Sequence, residues 1–203
     1  MAIPALFISR FWGFHPETIP LITFSQGVYR DRLLAEAQVG DRIVFVATKG
    51  EPTLPEEQGR LLGMAEIGIR AVKTLDVVKR EDIRPDSWNG DQPKFPEAIP
   101  MLRAWRFTDK PILTDVLANQ LTYFATVAAV KLDESDTHSI LALPNIEVAI
   151  PNIEILNQER IVAERNALLP SKGIMPTSGE RTVVVTERDY PFKPHVADTV
   201  LFR

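Results

Sequence analysis

The sequence predicts a mixed α+β domain whose curved sheet closes into a small barrel with a few short helices at its side. Three observations predict it. Sixteen prolines among 203 residues cut the chain into short pieces, which favours strands and loops over long helices. The apolar runs between them are short and rich in Val, Ile and Phe, the composition of strands rather than of helices. Finally, the strand-like runs follow one another without the regular strand–helix alternation that builds a doubly wound parallel sheet.

Taken in order, residues 5–10 (ALFISR) form a first strand that opens into the aromatic loop Phe11-Trp12-Gly13-Phe14. Residues 28–38 place Val28, Leu33, Leu34 and Ala37 on one face and Arg30, Asp31 and Glu36 on another, a short amphipathic helix ended by Val39-Gly40-Asp41. Residues 42–48 (RIVFVAT) are a buried strand, 49–59 a polar loop, and 60–69 a second strand whose two glycines suggest bulges. Together they read as a hairpin with a long loop. Residues 72–78 continue or leave that strand. Residues 80–100 make a polar, proline-rich excursion of the length expected of a functional loop, and Trp88 and Phe95 are unusual residues for a plain linker. Residues 101–107 return to strand and 112–117 form a short helix or turn. Residues 121–132 hold a strand or a helix, and 140–150 a strand. A helix over 154–169 and a strand pair at 181–187 and 199–202 complete the chain.

With 45% hydrophobic and 25% charged residues the chain can bury a core, which separates it from disordered sequences. It has no cysteine, so disulfides, thiolate nucleophiles and zinc–thiolate sites are excluded, as a reducing compartment would suit. A formal net charge of −4 argues against a sequence-blind binder living on phosphate contacts, although a local basic patch is compatible with it. No apolar run reaches the ~18 residues of a membrane span, and the N-terminus lacks a signal peptide's basic start and cleavage site. The expectation is a cytoplasmic protein without membrane attachment.

Phosphate-loop, nucleophile-elbow, zincin and Rossmann signatures are missing. The cluster Asp133-Glu134-Ser135-Asp136-Thr137-His138 is dense in potential ligands, but it reads as a charged turn between strands, and no metal or cofactor is expected. What rises above background is an aromatic and arginine pattern: Arg10-Phe11-Trp12-Gly13-Phe14, Gln26-Gly27-Val28-Tyr29-Arg30 and Arg103-Ala104-Trp105-Arg106-Phe107. Flat rings beside guanidinium groups are what stacking an extruded nucleobase and holding its phosphates requires. For Trp105 the competing reading is core, because Trp105 and Phe107 alternate on one strand.

The succession Phe7-Ile8-Ser9-Arg10-Phe11-Trp12, then Gln26 to Leu33, Val39-Gly40-Asp41 with the strand after it, and Gly63-Met64-Ala65-Glu66-Ile67 resembles the EVE domain family of the PUA-like superfamily, relatives of ASCH and YTH domains. The resemblance covers roughly residues 5–150. It implies a PUA-like barrel with flanking short helices over residues 1–150. Residues 151–203 would be a C-terminal helix and strand extension, packing on the barrel or linking to a further domain. The implied activity is binding rather than catalysis: recognition of a modified base, foremost methylated or hydroxymethylated cytosine in DNA, in an aromatic pocket. Carried over by position, Phe11, Trp12, Ser25, Gln26, Gly27, Val28 and Trp105 would form the pocket, and Arg10, Arg30, Arg32 and Arg106 would meet phosphates. The implied partner is nucleic acid, with a nuclease as partner or as a fused domain of a longer chain. The sequence departs from the family pattern in having Phe24-Ser25-Gln26-Gly27 at the turn and in the excursion over 80–100.

Two further readings stand beside this one. An ASCH-like enzyme acting on RNA or an amide needs Tyr29, Lys49, Glu66 or Tyr123 to converge on one cleft, and a modified-RNA reader needs only a different nucleic acid in the same pocket.

Overall fold

The computed structural model describes residues 3–117 and 128–151, all within one compact unit. Its elements are β1 (Leu6–Phe11), β2 (Leu21–Ile22), α1 (Gly27–Glu36), β3 (Arg42–Ala47), β4 (Leu61–Ile67), β5 (Val72–Lys73), α2 (Thr74–Val77), β6 (Trp88–Asn89), β7 (Gln92–Pro93), β8 (Glu97–Phe107), α3 (Leu113–Val116), β9 (Val130–Lys131), α4 (Glu134–Leu141) and β10 (Asn145–Val148). The predicted α+β class is the observed one. The expected elements over 121–127, 154–169, 181–187 and 199–202 lie outside the described residues.

The main sheet runs β10-β8-β4-β3-β1-β9, with β2 and β5 also paired to β8. Among the described residues its ladder ends at β9 and β10 and does not return on itself. β1 and β3 are parallel, joined by the crossover that contains α1, whereas β3 and β4 form the predicted antiparallel hairpin. β8 unites the fold. Its first half pairs with β5 and β2, and its second half with β4 and β10.

Both faces of this sheet are covered, which is why β1, β3 and β4 read as nearly unbroken apolar runs instead of alternating ones. Phe7, Phe11, Ile43, Phe45 and Ala65 face one core, which also takes Leu33 of α1. Leu6, Ile8, Val44, Met64, Trp105 and Phe107 face the other, beneath α3 and α4. Gly63 lets the chain cross the first core closely, because a Cβ there would meet the Phe14 ring and lie 2.5 Å from the Trp105 carbonyl oxygen. Asp41 ties the crossover down. Its buried carboxylate accepts from the Ala5 and Gln38 N–H groups at 2.9 Å each, and Gly40 supplies the positive φ of +92° that turns the chain there.

Two expectations are corrected. The acidic cluster after residue 132 is a helix start and not a turn between strands: Asp133 caps α4 by accepting the Asp136 N–H at 2.8 Å, and the acidic first turn suits the positive end of the helix dipole. The excursion also ends earlier than expected, because residues 97–100 already belong to β8. Pro100 lacks an N–H, but its carbonyl accepts from Gly68 at 2.8 Å, so a proline that reads as a breaker is tolerated in the ladder.

Candidate ligand-binding cleft

A cleft of about 430 Å³ opens where the end of β1, the segment before α1 and the excursion before β8 meet. Its size falls in the range of small-molecule sites, ~300–1,000 Å³. Phe45 and Met101 of the sheet form part of its lining, and Phe11 stacks on Phe45 with ring centres 4.2 Å apart. Trp12 stays 38% exposed because it leaves the sheet just past the strand end, where no core face claims it. Its ring meets Phe95 edge-on, with centres 6.0 Å apart and planes at 66°.

The excursion between α2 and β8 crosses the cleft as a strap, contributing Ile83, Arg84, Ser87, Pro93 and Phe95. Several contacts hold it in shape. The Thr74 hydroxyl donates to the Phe95 carbonyl, the Lys94 N–H donates to the Ser87 carbonyl at 2.8 Å, and Arg80 stacks over Trp88 at 4.5 Å. A small core of Leu21, Val78 and Ala98, with Ile83 packed against it, roots the strap in the sheet.

Of the residues expected at a pocket, the structure brings Phe11, Trp12 and Ser25 to this cleft, and Arg10 with them. It does not bring the others. Gln26, Gly27 and Val28 are exposed at the start of α1, outside the lining. Trp105 is only 7% exposed and lies in the core beneath α3 and α4, with the guanidiniums of Arg42 and Arg103 at 4.0 and 4.8 Å from its ring centre. The alternation of Trp105 with Phe107 therefore marked core and not pocket.

The remaining expected phosphate contacts are engaged with carboxylates. Arg30 pairs with Asp31 at 2.8 Å and also with Glu97, Arg32 pairs with Glu36 at 2.9 Å, and Arg106 pairs with Glu17 at 2.6 and 2.9 Å. Burial would raise the Glu17 carboxyl, but a hydrogen bond it accepts from its own backbone and the contact with Arg106 outweigh it and hold the group below the usual carboxylate range.

Sequence reasoning missed Thr23, Phe24, Arg84, Ser87 and Phe95. The signal for Phe95 was present, as an aromatic in a segment otherwise polar; nothing in the sequence singled out Arg84. Three of the four residues named for the enzyme reading do not line this cleft. Tyr29, Lys49 and Glu66 are absent from the lining, Glu66 being paired across the ladder with Arg42, and Tyr123 lies outside the described residues. Among the described residues no group of three His, Asp or Glu side chains is placed to hold a metal ion, and no helix is long and apolar enough to cross a membrane.

No family model and no curated protein matches this chain. Among solved structures it is similar to a hypothetical protein from Leishmania major, at 14% identity over 68% of this chain and 92% of that one, with a TM-score of 0.39.

Proposed function

We propose that this chain is a nucleic-acid-binding module that accepts a modified nucleobase in the aromatic cleft, foremost methylated or hydroxymethylated cytosine in DNA, on a PUA-like fold. The observation that carries the reading is the makeup of the cleft. Exposed Trp12 and half-buried Phe95 stand together, Phe11 and Phe45 lie buried beside them, and Thr23, Ser25 and Ser87 bring hydroxyl groups to the lining that suit a base edge. Apolar walls with a few convergent polar groups are what a planar heterocycle needs for burial and orientation.

A base stacked between Trp12 and Phe95 needs ~7 Å between parallel rings, twice the carbon contact distance. The observed 6.0 Å at 66° is an edge-to-face pair, so this reading requires the Phe95 ring to turn or move before a base can stack on Trp12. In a duplex the target must first be flipped out, at a cost of a few kcal/mol that stacking and edge hydrogen bonds offset.

The test is a binding panel of unmodified, 5-methylcytosine, 5-hydroxymethylcytosine and N6-methyladenine oligonucleotides, single- and double-stranded, at physiological salt. The expected result is a preference of tenfold or more for one modification. Uniform weak binding, or none, overturns the reading.

A further inference from the structure

The expected phosphate contacts and the observed cleft disagree about where an anionic group would sit. Arg30, Arg32 and Arg106 lie outside the lining and are held in ion pairs of 2.9 Å or less, the length of good charge-assisted bonds, ~2.7–2.9 Å. Arg103 is likewise held by Glu147 through two bonds of 2.8 Å. Arg84 differs on both counts. It lines the cleft, and its contacts are long: 3.3 Å to each oxygen of Asp86 and 3.4 Å to the Pro52 carbonyl.

A guanidinium carries five donors in a planar fork that matches two phosphate oxygens. The strap presents this fork next to Ser87: the Ser87 N–H donates to the Arg84 carbonyl at 2.9 Å, and both residues line the cleft that holds Phe95. The lining includes two arginines, Arg10 and Arg84, and no carboxylate, although the chain as a whole is acidic. An aromatic slot with guanidiniums at its side suits a planar apolar body carrying one anionic group.

From this we infer that Arg84 is a phosphate-binding residue of the cleft, so that the ligand is read as a nucleotide, its base in the slot and its own phosphate on the strap. The inference rests on the base-binding reading above for the slot and on the contact lengths for the phosphate. The phosphate replaces the long Asp86 contacts, which cost little to break, whereas the arginines of α1 and β8 would have to surrender short ones.

Calorimetric titration of the modified deoxynucleoside selected by the oligonucleotide panel, and of its 3′- and 5′-monophosphates, tests it on the whole chain. The wild-type protein should bind one monophosphate about tenfold more tightly than the nucleoside, the gain ordinary for a charge-assisted hydrogen bond. Arg84→Gln should abolish that preference, and Arg84→Lys should keep part of it. Equal binding of nucleoside and both monophosphates by the wild type overturns the inference while leaving the base reading intact. So does a preference that survives Arg84→Gln or is lost in Arg32→Gln. Monophosphates of every base binding alike, with loss in Arg84→Gln, supports the phosphate site and overturns the base reading. Binding of neither nucleoside nor monophosphate overturns the phosphate site.

Discussion

Trp12 is exposed beside an aromatic partner and outside both cores, so its ring contributes little to the fold and, on the proposed reading, stacks on the ligand. Trp12→Ala should weaken binding of the preferred modified oligonucleotide about tenfold, since a base–aromatic stack contributes ~1–3 kcal/mol, with the melting temperature nearly unchanged. Binding that survives within a factor of two would remove Trp12 from the pocket. Gly63 gives the opposite signature. Any Cβ at this position meets the Phe14 ring and the Trp105 carbonyl oxygen, and backbone cannot step aside as a flexible side chain can. Gly63→Ala should cost about 1–3 kcal/mol, read as a lowered denaturant midpoint. An unchanged midpoint would show that the sheet yields there.

At the scale of elements, the strap and the β8–β10 ladder lend themselves to separate tests. The buried hydroxyl of Thr74 is the hydrogen-bond donor that fixes the Phe95 carbonyl from the start of α2. Thr74→Val keeps the shape and removes that donor, so it should lower stability by about 1 kcal/mol and weaken ligand binding several-fold as Phe95 loses its anchor. Unchanged affinity in a folded variant would separate the anchor from the site. On the sheet, Arg103 grips Glu147 through two bonds of 2.8 Å, and this hydrogen bonding, despite burial acting the other way, holds the Glu147 carboxyl below its ordinary range. A carboxylate with a folded pKa below its unfolded one contributes stability that is present above the unfolded value, near pH 4.3, and is lost as the pH falls through the folded one. Glu147→Gln should therefore flatten the acid limb of the stability curve below about pH 4.3. The effect is small, because the pair is partly exposed to solvent. An acid limb identical to that of the wild type would assign the loss to other carboxylates.

At the scale of the whole molecule the chain carries −4, and among the described residues the arginines of α1, the strap and β8 face acidic neighbours. These arginines would have to leave their carboxylates before they could release counterions from a polynucleotide. Binding of a single-stranded oligonucleotide should fall with salt at a slope of roughly −0.7 to −1.4 in log–log form, that of one or two phosphates. A slope steeper than about −3 would mean a backbone-tracking groove instead of a base cleft. The class of fold was legible in the sequence because proline spacing and short β-branched runs act locally, and so were the β3–β4 hairpin, α1 and the place of Trp12 past a strand end. The parallel pairing of β1 with β3 was not, since a crossover leaves no local mark, and the capped start of α4 was masked by a cluster that also suits a turn. The site was half legible. Phe11, Trp12, Ser25 and Arg10 belong to one continuous stretch or to the turn beside it, whereas Trp105 could be assigned only once the two faces of β8 were known. What the sequence determined by itself was the set of short elements and the presence of aromatics outside the core pattern, because period and turn chemistry are local. What only the tertiary structure decided was which rings share a cleft and which arginines are already engaged, because both depend on residues far apart in the chain, such as Trp12 with Phe95 and Glu17 with Arg106, meeting across the sheet.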